Sequence, residues 1–193
     1  MIKRVVFALF IGISLNANSL FVYFKKADRM YNIDYKILQT IAKIESNFNP
    51  YSIGLLSRKH KVKALLRHLS KIGVDFNIGR ASRGKMQVSI YPASYQSALE
   101  VLGYIKRLHI KNYDVGLMQI NRVNIGSEAE EKALLKSTLY NISKGAKILR
   151  NCFDAQKRNV VKAIECYNKG MNLKGRRDYF VKFLKEYRKV ARY

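Results

Sequence analysis

The chain has 193 residues, 48% of them apolar, with 37 Lys and Arg against 13 Asp and Glu, a formal net charge of +24. That apolar share excludes a disordered polyelectrolyte and is enough for one buried core. Only two prolines, no long strand-like alternation and many Leu, Ile, Lys and Ala residues predict a mainly helical protein.

At the N-terminus, Lys3 and Arg4 precede an apolar run from Val5 to Leu15, followed by Asn16-Ala17-Asn18-Ser19. A charged start, a short apolar stretch and a small residue predict a signal peptide over residues 1–17, cleaved after Ala17, with export to the periplasm. The run is about half the roughly 20 residues that span a bilayer, so a retained anchor is the weaker reading. No second stretch is long enough to span. The exported part is then a single domain over residues 18–193. So basic a surface attracts nucleic acid, anionic lipid or acidic polymers. Export argues against nucleic acid and for peptidoglycan, whose stem peptides carry free carboxylates.

The first folded helix is expected to start near Asp34, a residue suited to capping a helix N-terminus. Leu38, Ile41, Ala42 and Glu45 follow at i, i+3, i+4 and i+7, so Glu45 shares or borders the apolar face. Asn49-Pro50 should end that helix. Residues 51–112 read as an extended insertion. It begins with a cationic amphipathic helix over Ser57–Lys71, which presents Val62, Leu65, Leu66 and Leu69 on one side. A glycine-bearing loop over Gly73–Gln87 comes next, then a short strand over Met86–Tyr91 as a small β-element. Another helix is expected over Ser94–Leu108. Beyond the insertion, Glu128–Leu149 is helical with a break near Tyr140-Asn141, and Val160–Asn168 forms a further helix. The last helix runs from about Arg177 to Val190, with Phe180, Leu184 and Tyr187 on its stripe.

The only cysteines are Cys152 and Cys166. An even pair in an oxidising compartment tends to bond, and these two bracket a segment that reads as the turn between two helices. Two small buried residues are the alternative. No histidine clusters with them, and His60, His68 and His109 show no ligand spacing, so neither a metal nor a cofactor is expected.

Three segments carry chemistry: Ile41-Ala42-Lys43-Ile44-Glu45-Ser46, Tyr113-Asp114-Val115-Gly116-Leu117-Met118-Gln119-Ile120-Asn121, and Ala163-Ile164-Glu165-Cys166-Tyr167-Asn168-Lys169-Gly170. Breaking a glycosidic bond requires a proton for a poor alkoxide leaving group, and a carboxylic acid raised in pKa by an apolar setting supplies it. Glu45 is the candidate. One echo complicates the second segment, because Gly84-Lys85-Met86-Gln87-Val88 mimics Gly116-Leu117-Met118-Gln119-Ile120.

Taken in order, Glu-Ser at a helix end, Gly-Leu-Met-Gln and Tyr-Asn-x-Gly resemble the family 1 lytic transglycosylases, which have a lysozyme-like fold. The chain looks most like the small periplasmic members that accompany secretion systems, and the resemblance covers roughly residues 28–170. It implies Glu45 as sole catalytic acid and base, with Ser46 holding the substrate N-acetyl group. It further implies Met118 and Gln119 lining the glycan groove, and Tyr167 and Asn168 contacting substrate and orienting the glutamate. Partners would be peptidoglycan glycan strands and secretion-system components. Two departures stand out: the long stretch between the first two motifs, and Lys169 where a small residue is common. The implied reaction is non-hydrolytic, forming a 1,6-anhydro ring on N-acetylmuramic acid, with substrate assistance in place of a second carboxylate. The rivals are a goose-type lysozyme hydrolase, with Asp114 as second carboxylate, and a non-catalytic glycan-binding assembly factor. The last has no need of Glu45.

Overall fold

Asp34 opens a helix as expected: its carboxylate accepts a hydrogen bond from the Lys36 amide at 2.7 Å. The computed structural model describes residues 17–171, 173 and 178–191. In chain order these form helices α1 (Ala17–Tyr31) and α2 (Tyr35–Ser46), strand β1 (Ile53–Arg58), helix α3 (Lys59–Lys71), strands β2 (Asp75–Ser82) and β3 (Lys85–Tyr91), and helix α4 (Tyr95–Arg107). Strands β4 (Tyr113–Val115) and β5 (Ile120–Asn121) follow, then helices α5 (Glu128–Lys136), α6 (Thr138–Ala155), α7 (Val160–Lys169) and α8 (Asp178–Val190). The architecture is mainly helical and lysozyme-like, with a small antiparallel sheet in the order β2-β3-β1-β4-β5. The predicted signal peptide lies, but for Ala17, outside the described residues.

The folded part begins one helix earlier than Asp34. Leu20, Tyr23, Phe24, Ala27 and Tyr31 form a helical stripe on α1 that packs toward α6 and α2. In the sequence only the short Asn16-Ala17-Asn18-Ser19 stretch separates that stripe from the apolar N-terminal run. The predicted loop over Gly73–Gln87 is instead a hairpin of β2 and β3. Arg83 and Gly84 take φ of 47° and 73° at its two-residue turn, as tight hairpins require. Gly79 falls where the register shifts between Ile78 and Ala81, so a glycine that reads as loop punctuation marks a bulge. Helix α3 starts at Lys59, since Ser57 and Arg58 pair with Met86 and Lys85 in the sheet.

The break expected at Tyr140-Asn141 falls at Ser137. This residue leaves α5 with φ −121° and ψ 105°, and its hydroxyl accepts from the Tyr140 amide at 3.2 Å to begin α6. One serine stops a helix and caps the next, which leaves Asn141 helical and buried. On α8 the deeply buried residues are Tyr179 and Phe183, one position away from the predicted stripe, and Leu184 is exposed. Tyr179, Phe180, Phe183, Leu184 and Tyr187 share one broad apolar face, and its Tyr179–Phe183 edge is the buried part of the helix that packs on α2 and α7.

Cys152 on α6 and Cys166 on α7 are joined in a disulfide, with their Cα atoms 5.7 Å apart. The bond ties the end of α6 to the middle of α7 across a sequence separation of 14. Replacing both cysteines by alanine should lower unfolding stability by ~3 kcal/mol, from the loop entropy returned to the unfolded chain. Urea titration checks this, and an unchanged midpoint contradicts it.

Candidate active site

The site is built at the end of α2. Leu38, Ile41 and Ala42 are buried without remainder, and Glu45 follows one turn later with its carboxyl turned inward. Asn47 and Phe48 then take φ of 53° and 65°, and the Phe48 amide returns to the Ala42 carbonyl, which stops the helix just past the glutamate. The stop therefore comes before Asn49-Pro50. Glu45 accepts a short hydrogen bond from the Tyr179 hydroxyl on α8. Burial raises its pKa from the ordinary 4.5 to about 7; the Tyr179 hydroxyl and the Lys182 charge oppose the rise, and the Asp114 charge adds to it.

Two other glutamates lie deeper. Glu131 meets Lys106 at 2.5 Å and the Tyr113 hydroxyl at 2.6 Å. Glu165 meets Lys169 at 2.7 Å and the Phe180 amide at 2.7 Å. Glu45 forms no ion pair among the described residues, and its hydrogen-bonding partner is a neutral phenol. A carboxyl so placed keeps its proton near neutral pH, as a general acid requires.

The Gly-Leu-Met-Gln segment is the tight turn between β4 and β5. Gly116 has φ +78°, and a Cβ there would meet the Asn141 amide nitrogen at 2.1 Å, so only glycine fits. Asn141 holds the turn from α6. Its carbonyl oxygen accepts from the Met118 amide at 2.7 Å, while its NH2 donates to the Val115 and Leu134 carbonyls. The Ser46 hydroxyl donates to the Leu117 carbonyl at 2.7 Å, and the Tyr167 hydroxyl donates to the Met118 carbonyl at 2.7 Å. The turn is thus fastened by α2, α6 and α7 together. From α7, Glu165 receives the Phe180 amide at the start of α8 and so sets Tyr179 against Glu45.

These elements enclose a cleft of about 620 Å³ whose lining includes Glu45, Asp114, Gln119, Asn121, Tyr167 and Asn168. Two expectations require correction. Met118 does not line the groove: its side chain is 0% exposed and packs onto Gly145 of α6, where it supports the turn from below. Ser46 is also buried, and its hydroxyl proton goes to the Leu117 carbonyl, so it fastens the turn instead of facing a sugar. Gln119 faces the cleft, but its NH2 already donates to the Ser52 and Gly116 carbonyls at 2.9 and 2.8 Å. Gln87 is exposed on β3 and does not line the cleft. Tyr167 lines the cleft, though the hydroxyl that binds Glu45 is that of Tyr179. Asp114 shares the cleft with Glu45; burial raises its pKa, and a hydrogen bond from the Asn121 amide at 2.8 Å opposes the rise. No group of three or more His, Cys, Asp or Glu among the described residues is placed to hold a metal.

The residues missed by sequence reasoning are Tyr179, Glu165 and Asn141. Glu165 had a signal: it is a carboxylate on the apolar face of α7, the same anomaly that singles out Glu45. Tyr179 had none, because its partner is 134 residues away.

A family model described as Transglycosylase SLT domain matches residues 22–187, a stretch that starts within α1 and reaches Tyr187 on α8. Members of that family are lytic transglycosylases that act on peptidoglycan. Comparison with curated proteins and with solved structures gave no match.

Because folding raises the pKa of Glu45, the native state favours the protonated form. Stability is unaffected by this group below about pH 4.5, falls as pH rises to about 7, and is then flat. The total loss is on the order of 3 kcal/mol at 1.36 kcal/mol per unit. Glu45→Gln, which keeps an acceptor for Tyr179, should therefore unfold at higher denaturant than wild type at pH 8 and at nearly the same denaturant at pH 4. Equal midpoints at both pH values would mean the carboxyl is not held protonated.

Proposed function

This chain belongs to the transglycosylase SLT domain family, and from that premise we propose that it is an exported peptidoglycan lytic transglycosylase with Glu45 as its catalytic acid and base. Protonated Glu45 gives its proton to the oxygen joining N-acetylmuramic acid to N-acetylglucosamine, and the bond from that oxygen to the muramic C1 breaks. The neighbouring N-acetyl group stabilises the charge developing at C1. The Glu45 carboxylate then takes the proton of the C6 hydroxyl as its oxygen bonds C1, which closes the 1,6-anhydro ring and restores the acid. One group performs both proton transfers, so its pKa must lie near the working pH.

The observation that carries this reading is the buried, unpaired carboxyl of Glu45 under a neutral tyrosine on the wall of an open cleft. The net charge of +24, which falls by two to +22 when Lys3 and Arg4 are removed, suits a polymer that carries stem-peptide carboxylates. Export is supported by the basic and then apolar N-terminal sequence and by a disulfide, which persists in oxidising compartments. The motif order and the insertion over residues 51–112 extend the reading to local wall opening for a secretion machine.

Asp114 gives hydrolysis a specific footing, since a second partly buried carboxyl faces the same cleft. The products separate the two reactions. Wild-type protein acting on purified sacculi should release fragments ending in 1,6-anhydro-N-acetylmuramic acid by mass, while reducing ends would establish the hydrolase. Glu45→Gln should lower the rate by at least about 10²–10⁴-fold, and kcat/KM of the wild type should fall about tenfold per pH unit above pH 7. Near-normal rates in the variant would end the reading.

The two Met-Gln segments give a sharper comparison. Gln119 caps the turn that faces the cleft, so its loss leaves the Ser52 and Gly116 carbonyls without their donor, a cost of ~1–3 kcal/mol. Initial rates on sacculi should drop by a decade or more for Gln119→Ala and stay level for Gln87→Ala. The opposite ranking would put the β2–β3 hairpin in the cleft.

A further inference from the structure

A second cavity, of about 540 Å³, opens between the end of α1 and the first turns of α6. Lys26 and Tyr31 line it from α1, Tyr140, Lys144 and Lys147 from α6, and Glu130 from α5. The carboxylate of Glu130 is fully engaged. One oxygen accepts from Lys144 at 2.6 Å and from the Tyr140 hydroxyl at 3.1 Å, and the other accepts from the Gly126 amide at 2.7 Å. That pairing consumes the charge of Lys144. Lys26 and Lys147 are exposed at the rim and have no acidic partner among the described residues. Two exposed ammonium groups at the rim of a cavity that Tyr31 and Tyr140 also line, with the Glu130 carboxylate there already satisfied, make a receptor for an anionic peptide.

The position of the cavity identifies the peptide. Lys147 stands one helical turn before Asn151 on α6, and Asn151 and Ile148 line the catalytic cleft. At 1.5 Å per residue, Lys147 lies ~6 Å and Lys144 ~10 Å along the helix from Asn151. A muramic acid in the cleft bears a stem peptide, and four extended residues reach ~13 Å. We propose that this cavity binds the carboxylates of the stem peptide hanging from the glycan held in the cleft, and so makes the enzyme prefer peptide-bearing strands over naked ones. The proposal rests on the transglycosylase reading, and it assigns that reaction a substrate determinant outside the cleft.

The test compares peptide-bearing glycan with glycan stripped by an amidase, using Lys26→Gln/Lys147→Gln. KM should rise roughly three- to tenfold on the first substrate, as expected for two exposed charge contacts, and stay level on the second, with kcat unchanged on both. Lys59→Gln/Lys63→Gln, which removes two exposed charges from α3, should leave both substrates unaffected. An unchanged KM on peptide-bearing glycan, or an equal rise on both substrates, overturns the proposal. Binding of free stem tetrapeptide, followed by amide shifts over residues 140–147, reads the cavity without turnover. Saturable shifts that vanish in the double variant are expected, and their absence overturns the proposal whether or not glycan is cut. Failure of the wild type to cut either glycan would overturn the transglycosylase reading instead.

Discussion

A carboxyl group at the end of an apolar helix has to be either paired with a cation or kept protonated, and the rest of the site depends on Glu45 being kept protonated. The fold contains a direct contrast. Glu131 and Glu165 are more deeply buried, and each has a lysine at ion-pair distance. Glu45 has instead the hydroxyl of Tyr179, itself buried and held as a donor, with Lys182 acting only at longer range. Three similar side chains therefore do different work because their neighbours differ. Two bind structural elements together and one is left without a cation, the state that the proposed acid needs.

Helix α7 transmits that arrangement. Through Cys166 it is bonded to α6, through Tyr167 it holds the Met118 carbonyl of the β4–β5 turn, and through Glu165 it fixes the start of α8. The turn is gripped from the other side by Asn141, whose amide nitrogen lies where any side chain on Gly116 would be. Both walls of the cleft are thus referred to the same pair of helices. The proposed reaction, in which Glu45 must be placed to within a fraction of an ångström relative to a glycosidic oxygen, gains from such a frame, since small misplacements weaken proton transfer steeply.

Much of this was legible in the sequence because it is local. The Asp34 cap, the stripe ending at Glu45 and the cysteine pair each need only residues close along the chain. Roles that depend on distant partners were misread. Ser46 and Met118 sit inside recognisable motifs, yet both face inward, because the turn needs a hydroxyl and an apolar plug beneath it before any sugar can lie above it. Tyr179 was invisible for the same reason: it shares a broad apolar face of α8 with Phe180, Phe183, Leu184 and Tyr187, and periodicity could not say which ring meets Glu45. The β2–β3 hairpin was hidden by Gly79 and Gly84, which signal loops in sequence but serve a bulge and a two-residue turn here.

The account stands on the protonation state of Glu45, which carbon-detected NMR reads directly. Titrating the carboxyl carbon of Glu45 in wild type and in Tyr179→Phe should give a midpoint near pH 7 in the first. The midpoint should be higher in the second, since the lost hydroxyl had favoured the charged form. A wild-type midpoint in the ordinary glutamate range, near 4.5, would show that Glu45 is ionised in the folded protein and would contradict its role as the acid.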